Sequence, residues 1–227
     1  MTAASNLLKV LWQPSAVFES LGDRKSWVVA AILLLATAVL FAALSAPAQT
    51  KLALVQMEER ADEMPPGQIE SAKRFMNSPA IVVFAAFAAA ATGAIGIIIK
   101  SGLFHLGAVT LGGRAGFLGA ISVIVYSSAP LMVRNILGSL TISSTGEPVA
   151  EGLSALMPLE ERMSALGAFA AGIDLFALWS VALGAIGLAI IYKLDRKKAL
   201  LVSGGFWATA MALRVGMTAV SSGLTGM

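Results

Sequence analysis

Cysteine is absent from this 227-residue chain and histidine occurs once, as His105. Those shortages exclude a disulfide framework, a thiolate nucleophile, a Cys/His zinc site and an iron-sulfur cluster. Charge is scarce too, at 13% of residues against 57% hydrophobic, and mean hydropathy is +0.82. A water-facing globular surface needs more polar residues than that, so a soluble enzyme is excluded; so is disorder, which requires low hydrophobicity and high charge. Also missing is any spacing that would bring a nucleophile, a general base and an orienting group together, and no glycine-rich turn has the Walker or dinucleotide pattern. Gly112-Gly113 is simply a turn. The chain is therefore expected not to be an enzyme and to carry no cofactor and no metal. Its formal charge of +3 is read as a guide to membrane orientation, not as an affinity for nucleic acid.

What the sequence has in abundance is long apolar runs. A hydrocarbon core of about 30 Å takes about 20 mostly apolar residues in a helix, the one open-ended form that satisfies its own backbone in lipid. Five stretches qualify: about 27–46, ending at Pro47; 79–100, opening with Pro79 behind the capping pair Asn77 and Ser78; 116–140; 172–192; and 199–222. The apolar segment 101–111 either prolongs the second run or bends along the surface before Gly112-Gly113-Arg114 turns the chain. The first run exceeds the apolar region of about 7–15 residues in a signal peptide, and its leader is long and amphipathic. With the N-terminus inside, the inner segments carry Lys9, Arg24, Lys25, Lys100, Arg114, Lys193, Arg196, Lys197 and Lys198 against Glu19, Asp23 and Asp195; acidic residues predominate outside. That bias obeys the positive-inside rule. The expectation is an all-α polytopic membrane helix bundle of five transmembrane helices, N-terminus cytoplasmic and C-terminus outside. Residues 1–26 form a cytoplasmic leader and 27–227 the membrane domain, with an outer helical loop over 47–78 and no second soluble domain.

The water-side segments have their own order. Leu7, Leu11, Pro14, Val17, Phe18 and Leu21 recur at helical spacing with Trp12 alongside and Gly22 placed to end the run, which predicts one N-terminal amphipathic helix on the inner membrane face. In the outer loop Leu54, Met57, Ala61 and Met64 line one side of a short helix closed by Pro65-Pro66-Gly67, and Ile69, Ala72 and Met76 suggest a second. A further amphipathic piece, around 153–166, is interrupted by Pro158. Interfacial packing is the preferred reading of these pieces over docking of a partner domain.

Several features in this order resemble one family. They are the leader with Trp12, Pro14, Phe18 and Leu21; the turn from Gly112 to Phe117; the apolar-run motif Tyr126-Ser127-Ser128-Ala129-Pro130; and the start of the fourth span from Asp174 to Trp179. Together they resemble the Yip family of membrane proteins, the Ypt/Rab-interacting type, over nearly the whole chain. The resemblance implies a five-helix integral membrane protein with a cytoplasmic N-terminus. Eukaryotic relatives are associated with Rab GTPases through a longer N-terminal region than this leader, which argues against a Rab-type GTPase as partner. High Ala and Gly content fits a bacterial member, in the inner membrane.

Ionisable residues inside a bilayer are functional candidates by default. Arg134 lies about 27 Å, and Arg214 about 22 Å, along outward-running spans at 1.5 Å per residue. Asp174 sits just inside the outer end of the fourth span. All three thus fall in the outer third of the membrane, and Asp174 is expected to pair with one of the arginines. A register-fixing ion pair is the plain reading, and an anion site the sharper one. Tyr126 and Ser127, with Ser128, precede Pro130, whose ring uncouples the carbonyl of Tyr126; hydroxyl repair of that kink is preferred over the lining of a polar cavity. His105 has no titratable neighbours in sequence for a proton relay. Gly204, Ala208, Ala212 and Gly216 form a small-residue stripe nearly opposite Arg214, along which a helix inside or outside the monomer can approach closely. Gly93-Ala-Ile-Gly96 and Gly184-Ala-Ile-Gly187 hint at a duplicated hairpin that low-complexity sequence can also mimic. The leading function is a non-enzymatic membrane scaffold or accessory subunit, bound to the lipid bilayer and to other membrane proteins or to itself. The alternative is a channel or transporter for a small solute or ion.

Overall fold

The computed structural model describes residues 2–21, 27–59, 67–147 and 149–224. Among them all regular structure is helical: α1 (Ala3–Lys9), α2 (Pro14–Leu21), α3 (Trp27–Glu59), α4 (Gln68–Met76), α5 (Ala80–Thr110), α6 (Phe117–Ser127), α7 (Ala129–Thr145), α8 (Ala165–Gly172), α9 (Leu175–Ile191) and α10 (Arg196–Leu224), with 3-10 turns at Gly152–Leu156 and Leu159–Met163. Four helical stretches are long and apolar enough to cross a membrane, with α6 and α7 read together as one; α8 and α9, bent by 53°, make a fifth if counted as a single broken span. The protein is an all-helical, polytopic membrane type.

Two expectations need correction, and two further points are filled in. The leader is two helices, not one: Thr2 caps α1 through its hydroxyl, and Pro14 starts α2, where a first-turn proline costs no hydrogen bond. Its apolar side chains also do not await lipid, because Leu7, Val17, Phe18 and Leu21 are buried in a protein core. The stop expected at Gly22 lies outside the described residues. Second, α3 does not end at Pro47 but runs to Glu59 with the proline inside it. A proline inside a helix removes one backbone bond and crowds the carbonyl four residues before it, and membrane helices tolerate it where neighbouring helices, hydroxyl side chains or local adjustment of the backbone re-satisfy the freed groups. Residues 50–59 therefore continue α3 instead of forming a separate loop helix; Ala61, Met64, Pro65 and Pro66 lie outside the described residues. Third, of the two courses open to the segment 101–111 the chain takes the first: α5 continues to Thr110, which puts Lys100 inside a helix. Fourth, the piece around 153–166 is interrupted at Pro158 as expected and takes the form of two 3-10 turns on either side of it, stapled by Arg162, which donates to the carbonyls of Met157 at 3.0 Å and Ala155 at 3.3 Å.

The chain forms two compact units. The first comprises Met1–Leu34, Gly96–Arg134 and Ala150–Met227. Its centre is α9, packed against α10, α6 and α2. Glycine makes that closeness attainable: a Cβ at Gly187 would lie 2.8 Å from the Phe18 ring and 3.1 Å from Val123, and one at Gly184 would lie 2.8 Å from the Ser203 hydroxyl. Ser203 Oγ donates to the Val181 carbonyl at 2.8 Å, which ties α10 to α9. One core cluster gathers the leader's apolar residues with Ala30, Ile121, Val125, Tyr126 and Leu183. A second gathers Phe104, Ala108, Val123, Leu188 and Tyr192.

The other unit comprises Leu35–Ile95 and Asn135–Val149. A Cβ at Gly93 or at Gly138 would lie 2.6 Å from Leu35 or Phe41 respectively, so α5 and α7 each approach an α3 side chain closely there. Phe75 and Phe84 meet edge to face at 5.9 Å, and Lys73 pairs with Glu58.

Candidate functional site

The site begins with two interruptions in helices of the first unit. Between α6 and α7, Ser128 adopts φ −80°, ψ 0° and ends α6. The hydroxyls of Ser127 and Ser128 donate to the carbonyl of Ile124, at 3.2 Å and 2.7 Å. Their acceptor is not the Tyr126 carbonyl that Pro130 uncouples. Between α8 and α9 the chain leaves the helix at Ile173 and Asp174. Asp174 then starts α9 as its N-cap, one carboxylate oxygen accepting from the Phe176 amide at 3.2 Å. Its other oxygen accepts from Arg134 Nη1 at 3.1 Å, with the Asp174 side chain only 8% exposed.

A strap from the connecting segment adds a second carboxylate. Gly152 has φ +53°, and a Cβ there would lie 2.7 to 2.9 Å from the carbonyl oxygens of Ile173, Ala171 and Ala170. Glycine is required on both counts. The adjacent amide of Leu153 donates to the Ile173 carbonyl at 3.2 Å. This anchoring holds Glu151 where Oε2 accepts from both terminal nitrogens of Arg214 at 3.4 Å, while Oε1 lies 4.0 Å from Arg134 Nη1. The result is a continuous series of alternating charge: Asp174, Arg134, Glu151, Arg214.

These four charges line one cavity of about 340 Å³, together with Lys100. Ser127, Ser128, Ser180 and Ser203 add hydroxyls to its wall, and Phe104, Phe206 and Trp207 supply much of the apolar remainder. Every one of the four hydroxyls donates to a backbone carbonyl, Ser180 to Phe176 at 2.9 Å and Ser203 to Val181 at 2.8 Å. The cavity thus combines three cations with two carboxylates in a mostly apolar surround. No group of three His, Asp or Glu side chains suited to a metal ion occurs among the described residues.

Of the residues singled out from sequence, Asp174, Arg134, Arg214 and Ser127 come together in this cavity. Arg214 pairs with Glu151 and not with Asp174. Tyr126 is set apart: it is fully buried in the core cluster with Phe18 and Leu183 and does not line the cavity, because the neighbouring helical position points elsewhere. On α10 the stripe is open, with Ala208, Ala212 and Gly216 exposed and nothing within 4 Å of a Cβ at Gly204. Arg214 turning to the cavity leaves that face uncovered.

Sequence reasoning passed over Lys100 and Glu151. The signal for Lys100 was present, since a mostly apolar stretch without Asp, Glu, Lys or Arg continues beyond it to Leu111. Nothing in the pattern distinguished Glu151 from the other acidic loop residues. His105 was likewise given no partner, yet its Nδ1 lies 2.7 Å from the Tyr192 hydroxyl, which donates to the Gly116 carbonyl at 3.1 Å.

The family model for the Yip1 domain matches residues 8–217. Searches of curated proteins and of solved structures find no match. The chain belongs to the Yip1 family.

Proposed function

Proceeding from membership of the Yip1 family, we propose that this membrane protein is a non-enzymatic scaffold or accessory subunit that binds other membrane proteins, or a second copy of itself, through its helix faces. The observation that carries this reading is the uncovered stripe of α10, opposite an arginine already engaged by Glu151. Small residues at spacing four let another backbone approach closely, and in lipid such packing is a main source of helix association. The native absence of cysteine makes the test direct. Ala208→Cys and Ala212→Cys, oxidised in native membranes, are expected to give a crosslinked homodimer or a crosslink to a partner carrying a reactive thiol. Ala212→Leu introduced beside Ala208→Cys should abolish it. A chain that stays monomeric in every variant, with no partner captured by amine-reactive crosslinking either, would sink the proposal.

A second reading, passage of a small solute or ion, is favoured by the cavity itself. Irregular backbone at membrane depth is tolerated where it lines a cavity, and the α8–α9 break lies at this one. Flux into proteoliposomes above that of empty liposomes, lost on filling the cavity, is the outcome this reading requires.

The cytoplasmic N-terminus, the outward C-terminus and residence in a bacterial inner membrane are part of the proposal. Charge asymmetry supports the orientation, and it persists when Lys100 is moved from the inner flank into α5. Cysteines placed at Ser144 and Lys197, both exposed, should label from the outside and from the cytoplasm respectively; the reverse pattern would invert the topology.

A further inference from the structure

Lys100 is the cation that the ion-pair series leaves over. Asp174 and Glu151 between them engage Arg134 and Arg214. Lys100 lines the same cavity and forms no ion pair with a described residue. Its position is deep in apolar sequence, since Ile97, Ile98 and Ile99 precede it and α5 runs about 15 Å beyond it at 1.5 Å per residue. A cation at such depth is costly unless it faces a cavity and meets an anion.

We propose that this cavity binds one singly charged phosphate group, recognised by Lys100, Arg134 and Arg214. Cations from α5, α7 and α10 converge on one space, which suits an acceptor with several oxygens better than a flat or monatomic one. Both arginines keep donors in reserve: Arg214 reaches a single carboxylate oxygen at 3.4 Å, longer than a charge-assisted bond of about 2.8 Å. Two carboxylates in the wall repel a dianion, whereas a monoanion brings the five charged groups to neutrality. The serine protons are already given to backbone carbonyls, so recognition rests on charge. At about 340 Å³ the cavity lies at the small end of the range for small-molecule sites, about 300–1,000 Å³, and its aromatic wall accepts an apolar appendage. A lipid headgroup phosphodiester and free dihydrogen phosphate share this chemistry. Such binding requires no passage and no protein partner, so it stands apart from both the scaffold and the transport readings.

The test uses the full chain in non-ionic detergent, titrated with phosphatidylglycerol, phosphatidylcholine, or sodium phosphate at mildly acidic pH, against sodium chloride of equal ionic strength. Native mass spectrometry and melting temperature are read together. One phosphatidylglycerol is expected to be retained in preference to phosphatidylcholine. Lys100→Gln should weaken that retention about tenfold or more, a loss of about 1.4 kcal/mol. Lys100→Arg should keep it, and Lys197→Gln, outside the cavity, should leave it unchanged. Competition by phosphate assigns the site to the phosphate group alone; retention without competition assigns it to the lipid. Retention of neither lipid, or equal retention by Lys100→Gln, overturns the proposal. Should Lys100→Gln fail to fold, Ala210→Leu, which fills the cavity without touching a charge, takes its place, and undiminished retention by that variant is the overturning result.

Discussion

Helices α5 and α9 carry the same tetrapeptide, Gly-Ala-Ile-Gly, and use it differently. In α9 both glycines are buried and serve as points of contact, Gly184 for Ser203 and Gly187 for Phe18 and Val123. Of the same two glycines in α5, Gly93 is approached closely by Leu35, whereas nothing lies within 4 Å of a Cβ at Gly96. The ends differ as well. Asp174 secures the start of α9 through Arg134, and Tyr192 secures its end through His105 and Gly116. A glycine pair is thus a permission for close packing, and the elements opposite it decide whether the permission is used. The hint of a duplicated hairpin does not extend to how the two copies pack.

Substitutions separate the two helices in order of falling effect. Gly187→Leu forces a side chain into Phe18 and Val123 and should cost about 3 kcal/mol, whereas Gly96→Leu should stay within about 0.5 kcal/mol. Denaturant unfolding in mixed micelles checks both, and equal losses would erase the contrast. Asp174→Ala removes the α9 cap and leaves Arg134 without its nearest carboxylate, at about 2 kcal/mol. In the same assay Asp174→Ala with Arg134→Met should cost less than the sum of the single changes, while Asp174→Ala with Arg214→Met should be closer to additive. Strict additivity in both cycles would detach Asp174 from the arginine series. At the other end, Tyr192→Phe loses the hydroxyl shared by His105 and Gly116, for about 1 kcal/mol. Faster amide exchange around the turn at Gly112 should accompany that loss, and unchanged exchange would count against the link. Last, Gly96→Ala should raise stability by about 0.5 kcal/mol, because alanine is the better helix former and the space is open. A loss of stability there would show that Gly96 has a neighbour after all.

Local chemistry explains which parts were readable in advance. The apolar runs announced the long helices because a bilayer leaves the backbone few alternatives, and Arg134, Asp174 and Arg214 stood out as charges inside such runs. Pro47 misled because its usual effect in water, helix termination, is weaker in a long apolar helix. Lys100 was hidden by the habit of reading a basic residue as the flank of a span. Glu151 was illegible for a deeper reason: it is brought to the arginines by the left-handed turn at Gly152, whose fit depends on carbonyls some twenty residues further along the chain. Burial of the leader depended in the same way on contacts between distant segments. Tyr126 shows the converse, a polar residue beside a functional-looking serine that belongs to the core.

The pairing of Arg134 with Asp174 also has a consequence in time. Forty residues separate the two, and a growing chain delivers the arginine first. While residues 151 and 174 are still inside the ribosome, α7 meets the bilayer with its guanidinium unanswered, against an insertion penalty that reaches about 2.5–3.5 kcal/mol at the bilayer centre and is smaller toward its outer third. The α6–α7 pair is therefore not a self-sufficient unit of membrane insertion. Its final seating waits on emergence of the strap and of α9, so a nascent chain stalled when α7 has left the ribosome but Glu151 and Asp174 have not should hold a third span that still moves between bilayer and translocon.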